Sequence, residues 1–255
     1  MALGFALNEA LAAATAVSGA LALAWWWRRR QNAQSAKPWW VSWGAELFTV
    51  IALVFGCRVA LADWMHVPSG SMEPTVQVGD VLLINHLAYG PRLPFTNTAL
   101  PLGQPRRGDV VVFRHPDEAS TFLVKRLVAL PGDQVRFRDG VVAVNSEPLQ
   151  AQWLGEEGGA LLLQETSAGV ARTLKLHRGV MGRLPIAALG DACRTLGAAA
   201  WDCTVPPGHV LMLGDHRDNS ADSRVWGFLP EREIYGRVDR VLVNFTDLSR
   251  VLKRL

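Results

Sequence analysis

The chain has 255 residues, 49% of them hydrophobic, and 26 Lys+Arg against 23 Asp+Glu give a formal charge of +3. That length allows one sizeable core, or one domain plus an anchor. Residues 63–255 hold 21 basic and 21 acidic side chains, so the basic excess belongs to the N-terminal end and leaves no nucleic-acid footprint.

From Ala10 to Trp27 there are eighteen uncharged residues, followed by Arg28-Arg29-Arg30. Eighteen helical residues at about 1.5 Å each just cross a hydrocarbon core of about 30 Å. A secretory leader carries its positive charge before the apolar run. Here only Glu9 precedes it, and the basic cluster follows. The positive-inside rule therefore places loop 28–38 in the cytoplasm. A second apolar stretch is interrupted by Glu46 and Arg58, and its uncharged part, Leu47–Cys57, is too short to span alone. Trp39, Trp40, Trp43 and Trp64 bracket it as interfacial belts do, and Arg58 is expected to snorkel to the interface. These features predict an anchor over residues 1–62, with helices at about 8–27 and 42–62, and everything after it on the outer face.

Beyond residue 63 the pattern turns mainly β. Short apolar runs at Val81–Ile84, Asp109–Phe113, Phe122–Leu130, Val135–Phe137 and Val141–Val144 are punctuated by Gly-Asp and Pro-Gly turns. Asp139-Gly140 marks a hairpin. Residues 145–205 are Gly- and Ala-rich and match strand templates weakly. They are read as an inserted β-rich lobe in a large antiparallel catalytic domain of 63–144 and 206–255. Strand signals return at His209–Leu213 and Arg237–Phe245.

Three groups of residues carry chemistry. Pro68-Ser69-Gly70-Ser71-Met72 is a tight turn directly after the second apolar stretch. One of its hydroxyls is placed to attack while the other donates to a developing oxyanion, but a serine needs a neighbouring base. Lys125 supplies a candidate, as one of only four lysines among 22 arginines, set in the apolar run Phe122–Leu130. Desolvation lowers a lysine's pKa towards neutrality, whereas the neighbouring Arg126 cannot lose its proton. The third group is Gly214-Asp-His-Arg-Asp-Asn-Ser-Ala-Asp-Ser-Arg224. Its acids suggest a calcium loop, yet counting from Asp218 puts Ser223 sixth and Leu229 twelfth, and the EF-hand pattern fails. A buried polar network fits better, with His216 a supporting residue rather than a triad member. Cys57 reads as a packing residue. Cys193 and Cys203, ten apart and without metal-spaced partners, read as a disulfide closing a short loop. No metal or cofactor is implied.

In order along the chain, Pro68-Ser-Gly-Ser-Met-Glu-Pro-Thr75, Arg107-Gly-Asp-Val-Val-Val-Phe113, Lys125-Arg126 with Leu130-Pro-Gly-Asp133, and the 214–224 loop resemble the successive boxes of bacterial type I signal peptidases. The resemblance runs from the second apolar segment to Val238 and leaves 145–205 largely unmatched. It implies a membrane-anchored serine endopeptidase of the bacterial inner membrane, multi-pass, with its catalytic domain on the periplasmic face. By position it makes Ser71 the nucleophile, Lys125 the general base and Ser69, with the Ser71 backbone N–H, the oxyanion hole. Ser220 would orient the lysine, Asp222 and Arg224 form a supporting ion pair, and Arg217 play a structural part. Val67, Met72 and Val124 would line pockets for small residues, giving Ala-x-Ala selectivity. The implied partners are preprotein signal peptides bound as extended strands, the phospholipid bilayer and, transiently, the secretion translocase. His216 departs from the pattern, which more usually has asparagine there. A narrow Ser–Lys peptidase maturing one conjugation or secretion substrate is the rival enzyme, and a non-catalytic peptide-binding β-domain the rival class.

Overall fold

The structure, a computed structural model, describes residues 2–31, 39–90, 102–118, 121–147, 150–167, 169–177, 187–197 and 200–255. Helices α1 (Ala2–Gln31) and α2 (Trp39–Ala60) lead the chain and pack on one another, with Gly19 facing the Phe48 ring. Both extend beyond the expected bounds at their N-terminal ends. Arg28–Gln31 continues α1, because arginine and glutamine are good helix formers and no breaker intervenes. Helix α2 stops at Ala60 because Ala62 and Asp63 already pair in a sheet. Ala10–Gln31 is long and apolar enough to cross a membrane, while the apolar part described for α2, Leu47–Gly56, is shorter. Loop residues 32–38 and the side chains of Trp39, Trp40, Trp43 and Cys57 lie outside the described residues.

Arg58 does not snorkel. Its guanidinium is buried, bonds Asp63 Oδ1 at 2.6 Å and lies 3.9 Å over the Trp64 ring. An acid five residues on, just past the helix end, holds it instead.

The rest is mainly β. In chain order the strands are β1 (Ala62–His66), β2 (Asp80–Asn85), β3 (Val110–Arg114), β4 (Phe122–Ala129), β5 (Gln134–Arg138), β6 (Val141–Val144), β7 (Gln150–Glu157), β8 (Ala160–Ser167), β9 (Val170–His177), β10 (Cys193–Gly197), β11 (Ala200–Thr204), β12 (His209–Leu213), β13 (Leu229–Pro230) and β14 (Ile234–Asn244). A seven-stranded antiparallel sheet has the order β1-β2-β14-β3-β4-β12-β13, beside a four-stranded sheet β10-β11-β5-β6 and a three-stranded sheet β7-β8-β9. Residues 145–205 are thus divided. β7–β9 form their own sheet, whereas β10 and β11 complete the sheet begun by β5 and β6, with Cys193 and Cys203 joined by a disulfide.

Burial follows composition. β2 alternates between buried and half-buried residues, as a strand with one covered face does. β4 is buried almost throughout, because both its faces are covered. On one face Val67, Met72, Val76, Leu82, Val110 and Val112 form a core directly beneath the serine turn. On the other, Val111, Phe113, Leu127, Val210 and Met212 form a second. A third core ties Val128, Ala129, Leu211 and Leu213 to the four-stranded sheet, where Phe137 stacks on Trp201 at 4.8 Å. The hairpin β5–β6 turns on Asp139 and Gly140, both with positive φ, the geometry an Asp-Gly pair favours.

Candidate active site

The serine turn leaves β1 through Val67, whose N–H donates to the Asp80 carbonyl, and closes on itself as Val76 N–H donates to the Met72 carbonyl. The buried side chains of Val67, Met72 and Val76 pin it to the core. Ser69 is left exposed and Ser71 half-buried. Across from it, Lys125 lies within β4 at 3% exposure. Its Nζ is 2.6 Å from Ser71 Oγ and 3.1 Å from the Val124 carbonyl. Burial pushes this ammonium down to about 8, against the raising pull of Asp222 and Asp215.

A cleft opens beside the pair, walled by Met65–Ser69 from β1 and the turn, by Met72 and Val76, and by Leu123–Lys125 from β4. Its cavity volume is about 20 Å³, room for little more than one methyl- or water-sized group. Val67, Met72 and Val124 all line it, as does Ser69. Both strands flanking it have an open edge among the described residues. β1 pairs only with β2, and β12 pairs with β4 only from Arg126 onward, leaving Phe122–Lys125 bonded on the β3 side alone.

The 214–224 loop is packed behind the lysine. Asp222 caps the short helix α3 (Ser223–Trp226) and holds Arg224 through both carboxylate oxygens, at 2.8 and 2.7 Å, with both side chains fully buried. Burial opposes ionisation of Asp222, but Arg224 outweighs it and keeps the carboxyl below its usual range. Asp222 also accepts from Gly214 N–H, and Arg224 donates to the Arg217 carbonyl. Ser220 Oγ is buried and contributes to holding Asp222 ionised. Its Oγ has no hydrogen-bond partner among the described residues, and the bonds of Lys125 Nζ are to Ser71 and Val124.

Further residues brace the site, and two of them, Glu165 and Arg172, lie outside the motifs. Arg126 clasps Asp215 at 2.7 and 2.6 Å, and Thr75 Oγ1 bonds the same carboxylate at 2.5 Å, which locks strand, loop and serine turn together. Glu165 on β8 is fully buried and bonds both Arg217 and Arg172. Burial opposes its ionisation, yet the two guanidiniums hold it below the ordinary range. Arg217 also donates to the Gly140 carbonyl at the β5–β6 turn. Gly214 is irreplaceable on steric grounds: a β-carbon there would collide with Ser220 and stand 2.5 Å from the Ser71 carbonyl. His216 reaches the serine turn through its backbone, its N–H donating to the Ser71 carbonyl at 3.2 Å. Its ring faces the Gly70 carbonyl and His177. Among the described residues no group of three His, Cys, Asp or Glu gathers as metal ligands.

A serine hydroxyl against a buried lysine, at the wall of a cleft with open strand edges, is the arrangement of a serine endopeptidase. Comparison with known proteins takes the assignment further. The family model described as "Signal peptidase, peptidase S26" matches residues 40–243. The signal peptidase I of Pseudomonas aeruginosa is 38% identical over 226 residues, covering 83% of this chain and 75% of that protein. That of Pseudomonas fluorescens is 35% identical over 227 residues, with shares of 83% and 75%. That of Aquifex aeolicus is 31% identical over 215 residues, with shares of 75% and 80%. The chain belongs to the S26 signal peptidase family.

Proposed function

We propose that this signal peptidase cuts signal peptides from exported preproteins by acyl transfer, with Ser71 as nucleophile and Lys125 as general base. The observation that carries the reading is the 2.6 Å contact between Lys125 Nζ and Ser71 Oγ at a buried position. Neutral Lys125 takes the Ser71 proton as the hydroxyl attacks the scissile carbonyl. It then protonates the leaving amine and helps activate the water that releases the acyl group. Ser69 Oγ and the Ser71 backbone N–H serve the oxyanion, a contribution of about 3–4 kcal/mol per donor in comparable sites. Asp222, Arg224 and Arg217 hold the wall behind Lys125, and Ser220 fills the space between.

The substrate lies extended between the open edges of β1 and β4, so main-chain hydrogen bonds give affinity. The small cleft lined by Val67, Met72 and Val124 supports selection of Ala-sized side chains. Helices α1 and α2 both cross a bacterial inner membrane, the first with its basic end Arg28–Arg30 in the cytoplasm, and the β-sheets stand on the periplasmic face. The bilayer is then a standing partner and the translocase a passing one. Trp64, half-exposed on β1 just past α2, suits the interface. The test is cleavage of a model preprotein by the full chain in detergent. Ser71→Ala and Lys125→Ala should each abolish processing while leaving the protein folded, and processing retained by either variant would overturn the dyad.

A further inference from the structure

The serine turn is irregular backbone, and part of what holds it comes from outside the catalytic sheet. β9, in the three-stranded sheet, runs beside the polar loop and forms a parallel bridge to it at Lys175 and His216. Lys175 N–H donates to the Asp215 carbonyl at 2.9 Å, and Arg217 N–H donates to the Lys175 carbonyl at 3.0 Å. The side chains continue the contact into the turn. Lys175 Nζ bonds Glu73 Oε2 at 2.8 Å, two residues past Ser71. The other oxygen of that carboxylate lies over Gly70, 2.6 Å from where a β-carbon would stand.

The second contact is a histidine pair. His177 stacks on His216 with ring centres 5.1 Å apart, and His177 Nδ1 is 3.3 Å from His216 Nε2. His216 Nδ1 is 3.3 Å from the Gly70 carbonyl. The network assigns the tautomers: a carbonyl only accepts, so Nδ1 of neutral His216 carries the proton, and its Nε2 accepts from His177. Ser71 is therefore flanked on both peptide groups by atoms whose own positions are set from β9.

We propose that Lys175 and His177 are positioning residues for Ser71, acting through Glu73 and His216. The inference rests on Ser71 and Lys125 being the reacting pair. The Lys175–Glu73 bridge is partly exposed, at 14% and 26%, and such pairs contribute little to stability. Its role is geometric: it keeps the hydroxyl on the lysine, so its loss acts on turnover more than on substrate binding or folding.

The experiment measures kcat and KM for cleavage of a peptide spanning a signal-peptide junction by the full chain in detergent, with thermal unfolding in parallel. Lys175→Met, Glu73→Gln and His177→Ala should each lower kcat about tenfold to 10²-fold, the scale set by sub-ångström to ångström misplacement of a reacting group, with KM within about twofold of wild type. The reversed pair E73K/K175E should recover most of the loss, as two directly coupled residues do. Wild-type kcat in the single variants, a reversed pair no faster than they are, or a change confined to KM would overturn the proposal. Ser71→Ala and Lys125→Ala in the same assay separate the two readings: if both are inactive while Lys175→Met is unaffected, only the β9 role falls.

Discussion

Lys125→Met separates what the lysine does for chemistry from what it costs the fold. Its ordinary value of 10.5 falls to about 8 in the folded chain, chiefly through burial. At about 1.36 kcal/mol per unit, holding the charged ammonium in place costs about 3 kcal/mol at any pH well below 8. Methionine has similar reach and no charge, so the variant escapes that cost and forfeits the bond to Ser71 Oγ, about 1 kcal/mol. A net gain of about 2 kcal/mol is expected at pH 7. Between about 8 and 10.5 the unfolded chain holds the proton and the folded chain does not. Wild-type stability therefore rises with pH across that window, and the advantage of methionine fades over it. Urea unfolding in detergent, followed by tryptophan fluorescence at pH 7 and pH 10, gives both differences. Activity supplies the other arm. In the wild type about one lysine in ten is neutral at pH 7 and about nine in ten at pH 9, so kcat/KM should climb about tenfold, while the methionine variant stays inactive throughout. A variant less stable than wild type at pH 7, or a stability difference that does not move with pH, would refute the reasoning.

Two further outcomes follow from the packing behind the lysine. Gly214→Ala forces a β-carbon onto Ser220 and the Ser71 carbonyl, so it should cost about 1–3 kcal/mol of stability and most of the turnover, checked by unfolding and peptide cleavage. Glu165→Gln leaves the buried guanidiniums of Arg172 and Arg217 without their countercharge. It should lose about 3–5 kcal/mol, read as a fall in the denaturant midpoint, and a loss below about 1 kcal/mol would show that the triad is not a structural unit.

Much of this site was legible in the chain. Lys125 announced itself as a charge in an apolar run, and Ser71 as a hydroxyl in a Gly-Pro turn. The density of Asp, Arg and Ser at 214–224 pointed to a buried network, and the strands between residues 81 and 144 fall on the short apolar runs of the sequence. What escaped was set by pairing between distant segments. β1 was hidden because Asp63–His66 carries no strand-like apolar run, and only its pairing with β2 makes it a strand. Residues 145–205 were read as one lobe because loose composition cannot say that β10 and β11 complete a sheet started sixty residues earlier. Glu165 sits in the unremarkable strand Ala160–Ser167, and nothing local marks it as the countercharge of two arginines.

The bond between Arg58 and Asp63, capped by the Trp64 ring, makes the junction between α2 and β1 a welded elbow. The pair ties the end of α2 directly to the first strand of the seven-stranded sheet, with only Leu61 between the two elements. β1 has five residues, which at about 3.3 Å each give a fixed spacer of about 17 Å between the helix end and the serine turn. The distance from the end of α2 to the serine turn is thus set by the length of one strand, and two added residues would lengthen it by about 7 Å.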